Sequence, residues 1–178
     1  MVRLSSTVLR VVVVVLSLMV LVSPLEAKSL TIAGDPVSSG EFYDVAVHFY
    51  TNVLPPLVEA RDAKKLRAAV PLDGARWKLK DPSNKVSNDG GQLKHLQGLF
   101  SRSTGNNETW DISTRIETVS MTDATHGAVL WVLINDQADR KGKRQSSRRY
   151  ATHWEKIDGQ WRIVATEHGN TKEKPKSR

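Results

Sequence analysis

The hydrophobic period of this chain changes once, near Glu108, and that change constrains the fold more than any other feature. Before it, apolar residues recur at helical spacing, and after it they alternate with a period of two. Helices followed by consecutive antiparallel strands predict an α+β domain with the helices packed on one face of the sheet. A domain of this size buries about two thirds of its unfolded surface, which is enough for a real core.

Residues 1–27 have the composition of a secretory signal peptide. An apolar run over residues 11–22 is interrupted only by Ser17, and Ala27 supplies a small residue at the expected cleavage point. A membrane span needs about 18–20 apolar residues, so cleavage is favoured over anchoring. We expect a secreted or periplasmic protein with no transmembrane anchor after processing. An uncleaved N-terminal anchor is the alternative.

The charge of the chain is concentrated in two short segments. Of 26 basic and 19 acidic residues, residues 139–149 hold six basic and one acidic, and residues 171–178 hold four basic and one acidic. No aromatic residue interrupts 139–149, so the stacking platforms of a nucleic-acid surface are missing and we predict no specific nucleic-acid partner. We interpret the two segments as a solvated hairpin tip and a disordered tail, with weak attraction to anionic envelope surfaces as a further role.

The first half of the chain carries helical signals. Ser38 followed by Glu41 is a capping-box pattern, which predicts a helix that begins at Ser38. Pro55-Pro56 is expected to interrupt this helix because proline lacks an amide donor. A second helix is expected over residues 56–70, with Asp62 as the cap of a further break.

The segments that follow are shorter. We predict a strand over residues 75–79 after the turn Asp73-Gly74, and a loop over residues 81–91, which are rich in Pro, Ser, Asn, Asp and Gly. Apolar residues from Leu93 to Phe100 recur at helical spacing and predict a third helix. Residues 101–107 are expected to form another loop.

The second half of the chain predicts strands. Residues 109–121 alternate, with Ile112 and Ile116 on one face and Val119 and Met121 on the other. Residues 127–135 are almost continuously apolar, as in a strand that is covered on both sides. Residues 148–157 and 160–168 are expected to form a hairpin, because Asp158-Gly159 accepts the positive φ angles of a two-residue turn.

The order of these elements resembles the nuclear transport factor 2-like superfamily, most closely its SnoaL-like, ketosteroid-isomerase-like branch. The most specific piece is the hairpin of residues 152–164, in which Trp154 and Trp161 flank an acidic-Gly turn. The resemblance covers residues 41–169 and implies a cone, in which a curved antiparallel sheet wraps around the N-terminal helices and leaves an apolar cavity at one end. The predicted organisation is a signal peptide (1–27), an N-terminal arm (28–37), a SnoaL-like α+β barrel domain (38–170) and a basic disordered tail (171–178).

A cavity of this kind shifts the pKa of an ionisable group inside it toward neutrality. An isomerase-like site would pair a tyrosine hydroxyl with a carboxylate base, and a dehydratase-like site would use an aspartate and one or two histidines. No motif fixes these roles, and core packing for Tyr50 and a plain turn for Asp73 are the interpretations that we favour over catalysis. The candidate catalytic residues are Tyr50, Asp73, His153 and Glu167.

The aromatic residues predict a ligand pocket. Strand tryptophans that face inward would line a cavity for a flat apolar molecule, although ordinary core or a sheet-to-sheet dimer face is an alternative role for them. The candidate pocket residues are Tyr43, Tyr50, Trp77, Trp110, Trp131 and Trp154. The chain has no cysteine and no metal-ligand spacing of histidines, so we assign no metal and no cofactor. Asn107 begins a glycosylation sequon that has meaning only in a eukaryotic host.

The sequence favours a secreted or periplasmic SnoaL-like domain that binds a small apolar or amphipathic molecule in the cone. One alternative is a cofactor-independent lyase or isomerase with an acid/base pair in the same cavity. A second alternative is a homodimeric interaction module that associates through the sheet. The fold alone does not decide between them, because isomerases, dehydratases and noncatalytic binding modules share it.

Overall fold

The computed structural model describes residues 30–105, 107–139 and 142–175. The predicted signal peptide, residues 1–27, lies outside these ranges. None of the helices inside them is long and apolar enough to cross a membrane.

Helices precede the long strands, as the change of period predicts. The helical segments are α1 (Glu41–His48), a π-helical turn (Phe49–Val53), α2 (Leu54–Glu59), α3 (Ala63–Ala69) and α4 (Asp89–Gly105). The strands are β1 (Asp35–Pro36), β2 (Lys78–Lys80), β3 (Val86–Asn88), β4 (Thr109–Met121), β5 (His126–Asp139), β6 (Gly142–Ile157), β7 (Gln160–His168) and β8 (Lys172–Pro175). The sheet order is β1-β4-β5-β6-β7-β2-β3, antiparallel except between β2 and β7, and β8 pairs with β6. This curved, unclosed sheet with N-terminal helices confirms the predicted α+β cone.

The sheet has an inner face toward the helices and an outer face. Val129 and Trp131 of β5 belong to the buried core, so alternate residues of this strand face inward. Thr152 and Tyr150 of β6 pair with these two residues and therefore share the inner face. The residues between them face outward.

The first helix begins later than predicted. Gly40 is its N-cap with φ 102°, and no side chain caps the helix. Positive φ favours glycine, and this conformation leaves Ser38 outside the helix. The Glu41 carboxylate accepts a hydrogen bond from Lys156 Nζ at 2.7 Å instead of reaching back to Ser38. The predicted capping box is therefore wrong.

Pro55-Pro56 does not break the helical path where predicted. The preceding π-helical turn closes with a hydrogen bond from the Leu54 amide to the Phe49 carbonyl, and the prolines occupy the first turn of α2, where amide donors are not needed. The break comes after α2. There Asp62 Oδ1 accepts bonds from the first amides of α3 at 3.0 Å, which confirms Asp62 as a cap.

Two predicted loops contain regular structure. Within residues 81–91, β3 pairs antiparallel with β2, and α4 begins at Asp89, where Asn88 Oδ1 accepts a bond from the Gly91 amide at 3.0 Å. Within residues 101–107, α4 continues because the hydroxyls of Ser103 and Thr104 donate to the Phe100 carbonyl. Side chains that favour loops in sequence statistics are here satisfied by the helix itself.

The strand predicted over residues 75–79 is shorter and later than expected. The Asp73 carboxylate accepts bonds from the Ala75 and Arg76 amides, which keeps these two residues in a turn. Trp77 follows this turn, and its Nε1 donates to Thr166 Oγ1 at 3.1 Å. Only the next three residues, Lys78–Lys80, form β2.

A bulge changes the faces of β4. The register of β4 against β5 shifts between Ile116 and Thr118, so the alternation is displaced by one residue from there onward. Val119 is consequently 3% exposed in the inner core, and Met121 packs against that core. The predicted placement of Val119 and Met121 on the face opposite Ile112 and Ile116 is wrong for this reason.

The C-terminal strands extend further than predicted. Asp158 and Gly159 adopt φ angles of 50° and 76°, which confirms the two-residue turn. β6 already begins at Gly142, so most of the presumed hairpin tip is strand. The predicted disordered tail starts with β8, which continues the line of β7 along β6.

A substitution at Gly127 tests how closely α1 approaches the sheet. A Cβ atom at Gly127 would overlap the Phe42 ring, so we expect Gly127→Ala to lower the free energy of unfolding by about 1–3 kcal/mol through overpacking. The matched control is Gly98→Ala in α4, where no atom lies within 4 Å. It should stabilise the helix by up to about 1 kcal/mol. Urea unfolding measures both, and equal effects would contradict the packing at Gly127.

Candidate functional site

The four predicted catalytic residues lie in separate places. Tyr50 is fully buried in the core. Asp73 lies at a turn, where its Oδ2 accepts a bond from Arg76 Nε at 2.6 Å, and this contact lowers its pKa. His153 directly follows Thr152, and Glu167 directly follows Thr166. These two threonines pair on the inner face, so His153 and Glu167 lie on the outer face. The sheet thus separates Tyr50 from the two outer residues.

Most predicted pocket residues form solid core. Phe42 and Phe49 fill the space between the tryptophans, with ring centroids 4.5 Å from Trp161 and 5.8 Å from Trp154, respectively. The interior beside α1 is therefore occupied by aromatic rings. The buried members of the predicted set are Tyr50, Trp77, Trp131 and Trp154, and the half-buried members at the margin are Tyr43 and Trp110.

Three rings form an aromatic column, which we define as Tyr50, Trp131 and Tyr150. The centroid of Tyr50 lies 4.6 Å from that of Trp131, and Trp131 stacks on Tyr150 at 4.5 Å with an interplanar angle of 14°. Tyr50 is 0% exposed and Trp131 6% exposed, whereas Tyr150 is half-buried. The column therefore leads from the core to a more accessible part of the inner face, near the β5–β6 hairpin.

Polar groups surround the accessible end of the column. The Arg148 guanidinium lies beside the Tyr150 hydroxyl, and Arg148 Nε donates to Thr171 Oγ1 at 2.8 Å. The His168 ring lies 5.9 Å from the Tyr150 ring, and its Nδ1 donates to the Gly169 carbonyl at 3.0 Å. Burial raises the pKa of Tyr150 more than Arg148 lowers it. The hydroxyl is thus a neutral hydrogen-bonding group at pH 7.

Two buried polar atoms on the inner face of β5 lack a hydrogen bond. Asn135 is 8% exposed, and its Oδ1 has no donor. The Trp131 Nε1 lies close to the Tyr50 hydroxyl without the geometry of a hydrogen bond. An unpaired buried polar atom costs about 1–3 kcal/mol.

The buried end of the column holds a hydrogen-bonded group of three side chains. The hydroxyls of Tyr50 and Thr152 lie 2.5 Å apart, and Trp154 Nε1 donates to Thr152 Oγ1 at 3.3 Å. Burial raises the pKa of Tyr50 far above its ordinary value. Tyr50 therefore remains protonated at physiological pH and has no general-base function.

The two hydroxyls of this group should respond unequally to removal. Tyr50→Phe leaves Thr152 with the Trp154 N–H, so we expect a loss of about 1 kcal/mol in the free energy of unfolding. Thr152→Val removes the oxygen that Tyr50 and Trp154 share, and strands two buried donors, so a loss above about 2 kcal/mol is expected. Urea unfolding of both variants gives the ranking, and a larger effect of Tyr50→Phe would refute it.

Comparison with known proteins gives matches in structure only. No protein-family model matches the sequence, and no curated protein matches it. A conserved protein from Planctomyces limnophilus is 10% identical with a TM-score of 0.55, covering 74% of this chain and 97% of that chain. A designed NTF2-type protein is 16% identical with a TM-score of 0.50, covering 72% and 100%.

The chain has the nuclear transport factor 2-like fold. A protein from Thiobacillus denitrificans is named as a calcium/calmodulin-dependent protein kinase type II association domain. It is 12% identical to this chain, with a TM-score of 0.50, and the match covers 75% of this chain and 97% of that protein. Identities this low show the fold alone. They confirm the predicted fold and leave function to the residues of the site.

Two cavities of this NTF2-like domain lie outside the aromatic core. One, of about 540 Å³, is an open groove between the start of α3 and the C-terminal half of α4, with Phe100 among its walls. The other, of about 390 Å³, lies between Ala33 of the N-terminal arm and the sheet, and contains His126 and His153. In the described part of the chain, no cluster of three or more His, Asp or Glu side chains is arranged to hold a metal ion.

The second cavity contains an acid–imidazole pair that the sequence analysis did not single out. His126 Nδ1 lies 3.0 Å from the Asp123 carboxylate, which also accepts the Thr125 amide at 2.7 Å. These bonds hold the pKa of Asp123 well below its usual range. The signal was an Asp and a His three residues apart, which a tight β4–β5 turn brings together. Both side chains are about half exposed. We therefore interpret the pair as a structural element of the turn and not as a catalytic pair.

His153 in this cavity should make stability depend on pH. Burial lowers the pKa of His153, and Glu167 offsets this effect only in part. The unfolded-state pKa is about 6.5, so the unfolded chain binds more protons just below that pH, and stability falls as the pH falls through this window. We expect the free energy of unfolding to drop less between about pH 7.5 and about pH 5.5 in His153→Gln than in the wild type. Urea unfolding at both pH values measures this, and identical drops would rule out His153 as the cause.

Proposed function

We propose that this protein is a secreted or periplasmic SnoaL-like domain that binds a small amphipathic molecule at the accessible end of the aromatic column. The observation that supports this is the graded burial of the column. Its rings pass from the fully buried Tyr50 to the half-buried Tyr150, beside the polar groups of Arg148 and His168. An aromatic wall with a few convergent polar groups is typical of a ligand site.

Aromatic rings fill the interior where the sequence predicted a pocket, so we place the ligand site nearer the β5–β6 hairpin. The positions of the candidate catalytic residues also argue against acid/base catalysis. The Tyr50 hydroxyl is taken up by its buried hydrogen bond with Thr152, and the outer residues His153 and Glu167 lie across the sheet from it. A general base has to lie within hydrogen-bond reach of the proton that it removes. These three candidates have no common substrate position, so binding is the function that the geometry favours over a lyase or isomerase.

A homodimer formed through the sheet is less favoured than ligand binding. The outer face of β5 is apolar, with Ala128, Leu130 and Val132 between 5% and 8% exposed. The N-terminal arm lies on this face, since Ser120 Oγ donates to the Ala33 carbonyl at 2.6 Å and Ala33 shares a cavity with Ala128. A second copy would have to displace the arm before it could pack on this face.

A neutral fluorescent probe tests the position of the site. N-phenyl-1-naphthylamine should bind the purified protein and quench its tryptophan emission, because Trp131 lies under Tyr150. Tyr150→Ala should weaken binding about tenfold, since it removes a stacked ring worth about 0.5–1.5 kcal/mol together with its buried area. Tyr150→Phe should bind like the wild type.

The matched control is Tyr43→Ala, which removes another half-buried tyrosine from the margin of the core. It should leave probe affinity within about twofold of wild type. Equal weakening by Tyr43→Ala and Tyr150→Ala would place the site elsewhere. Failure of the wild type to bind any apolar probe would refute the proposed function.

A further inference from the structure

The structure brings the two basic segments of the sequence together. β8 pairs antiparallel with the first part of β6, with Ser147 opposite Lys172 and Arg144 opposite Pro175. Segments separated by more than 20 residues along the chain are thereby neighbours in one sheet. The described part of this end of the sheet carries the basic residues Lys143, Arg144, Arg148, Arg149 and Lys172. A concentrated charge of one sign attracts ligands of the other sign.

Arg148 differs from its neighbours at this end. Arg149 Nε donates to Glu117 Oε2 at 2.6 Å, and an Arg144 nitrogen lies 3.4 Å from Glu108 Oε1. Arg148, by contrast, forms no ion pair with any carboxylate whose side chain the structure describes. Its Nε and one terminal nitrogen both donate to Thr171 Oγ1, and the guanidinium lies beside Tyr150. A half-buried guanidinium without an acidic partner gains most from a bound anion.

The position of Arg148 is set by the register of β6. Residues 148 and 150 lie on the same, inner face, because alternate residues of a strand point the same way. Arg148 pairs with Leu133, and Tyr150 pairs with Trp131. A molecule in contact with the Tyr150 ring therefore lies within reach of the guanidinium. The next residue, Arg149, points to the other side of the sheet.

We infer that the ligand of the column is an anionic amphiphile, with a carboxylate or phosphate group bound by Arg148 and an apolar body against Tyr150. This inference rests on the proposed function and adds the charge of the ligand to it. Thr171 takes up the Nε edge of the guanidinium, and the N–H groups of its two terminal nitrogens that remain match the two oxygens of a carboxylate or phosphate. The Tyr150 hydroxyl beside it supplies a further hydrogen bond to the same headgroup.

The same headgroup chemistry occurs in a free fatty acid and in a lipid of an anionic membrane. The experiment therefore has two arms that share one pair of variants, Arg148→Gln and Arg149→Gln. These variants remove the same charge from adjacent residues of one strand on opposite faces. The first arm measures fluorescence titration with cis-parinarate and with its uncharged methyl ester. The second measures sedimentation with phosphatidylcholine vesicles that contain or lack phosphatidylglycerol.

For a free ligand, Arg148→Gln should weaken cis-parinarate binding about tenfold, as expected for loss of a charge-assisted hydrogen bond. Arg149→Gln should change it less than about twofold, and the methyl ester should bind both variants like the wild type. For a lipid headgroup, the same selective loss should occur with the phosphatidylglycerol vesicles. Arg148→Lys, which keeps the charge without the planar fork, should lie between wild type and Arg148→Gln.

Several outcomes would overturn the inference. If Arg148→Gln and Arg149→Gln lose the same amount of cis-parinarate affinity and of vesicle binding, the net charge of the protein explains the binding and no specific site at Arg148 is needed. If the wild type binds the ester as tightly as the acid, the anion is not recognised, although the proposed binding function survives. If neither form binds and no vesicle is retained, the proposed function itself fails. Circular dichroism of each variant excludes unfolding as the cause of lost binding.

Discussion

The close approach of α1 to β5 at Gly127 is the contact on which the rest of the cone depends. Only a residue without a Cβ leaves room there for the Phe42 ring, which packs on Trp154 and Trp161. With the helix seated this deeply, Phe49 and Tyr50 two turns later reach the tryptophans of β5 and β6. The helix therefore fills the cone along its own length with aromatic side chains.

The contacts between side chains depend on how the strands bend and pair, and the sequence predicts the strands better than it predicts their pairing. The change of period and the Asp158-Gly159 turn predicted the order of the helices and the final hairpin, because these signals are local. The bulge near Ile116 is not marked by glycine or proline, yet it reverses the faces of Val119 and everything after it. Strict alternation therefore predicted correctly that β4 is a strand, but assigned the residues after the bulge to the wrong face of the sheet.

The same limit explains the candidate site. The tryptophans and Tyr50 were recognisable as inward-facing aromatic residues, and the structure does cluster them. Tyr150 and Arg148 were not singled out, because their importance depends on the register that sets Tyr150 opposite Trp131. Register is a relation between two strands, and neither strand alone carries it. The pairing of β8 with β6 was missed for the same reason, since the basic tail has no apolar pattern of its own.

Strand β6 connects the stability of the core to the chemistry of the proposed site. Along its inner face, Trp154 and Thr152 belong to the buried hydrogen-bonded group, Tyr150 forms the accessible ring, and Arg148 supplies a positive charge. Polarity thus increases in steps of two residues from core to hairpin. One strand thus fixes the distance between an apolar wall and a cation. The ligand that we infer, with an apolar body and a single anionic end, matches this arrangement.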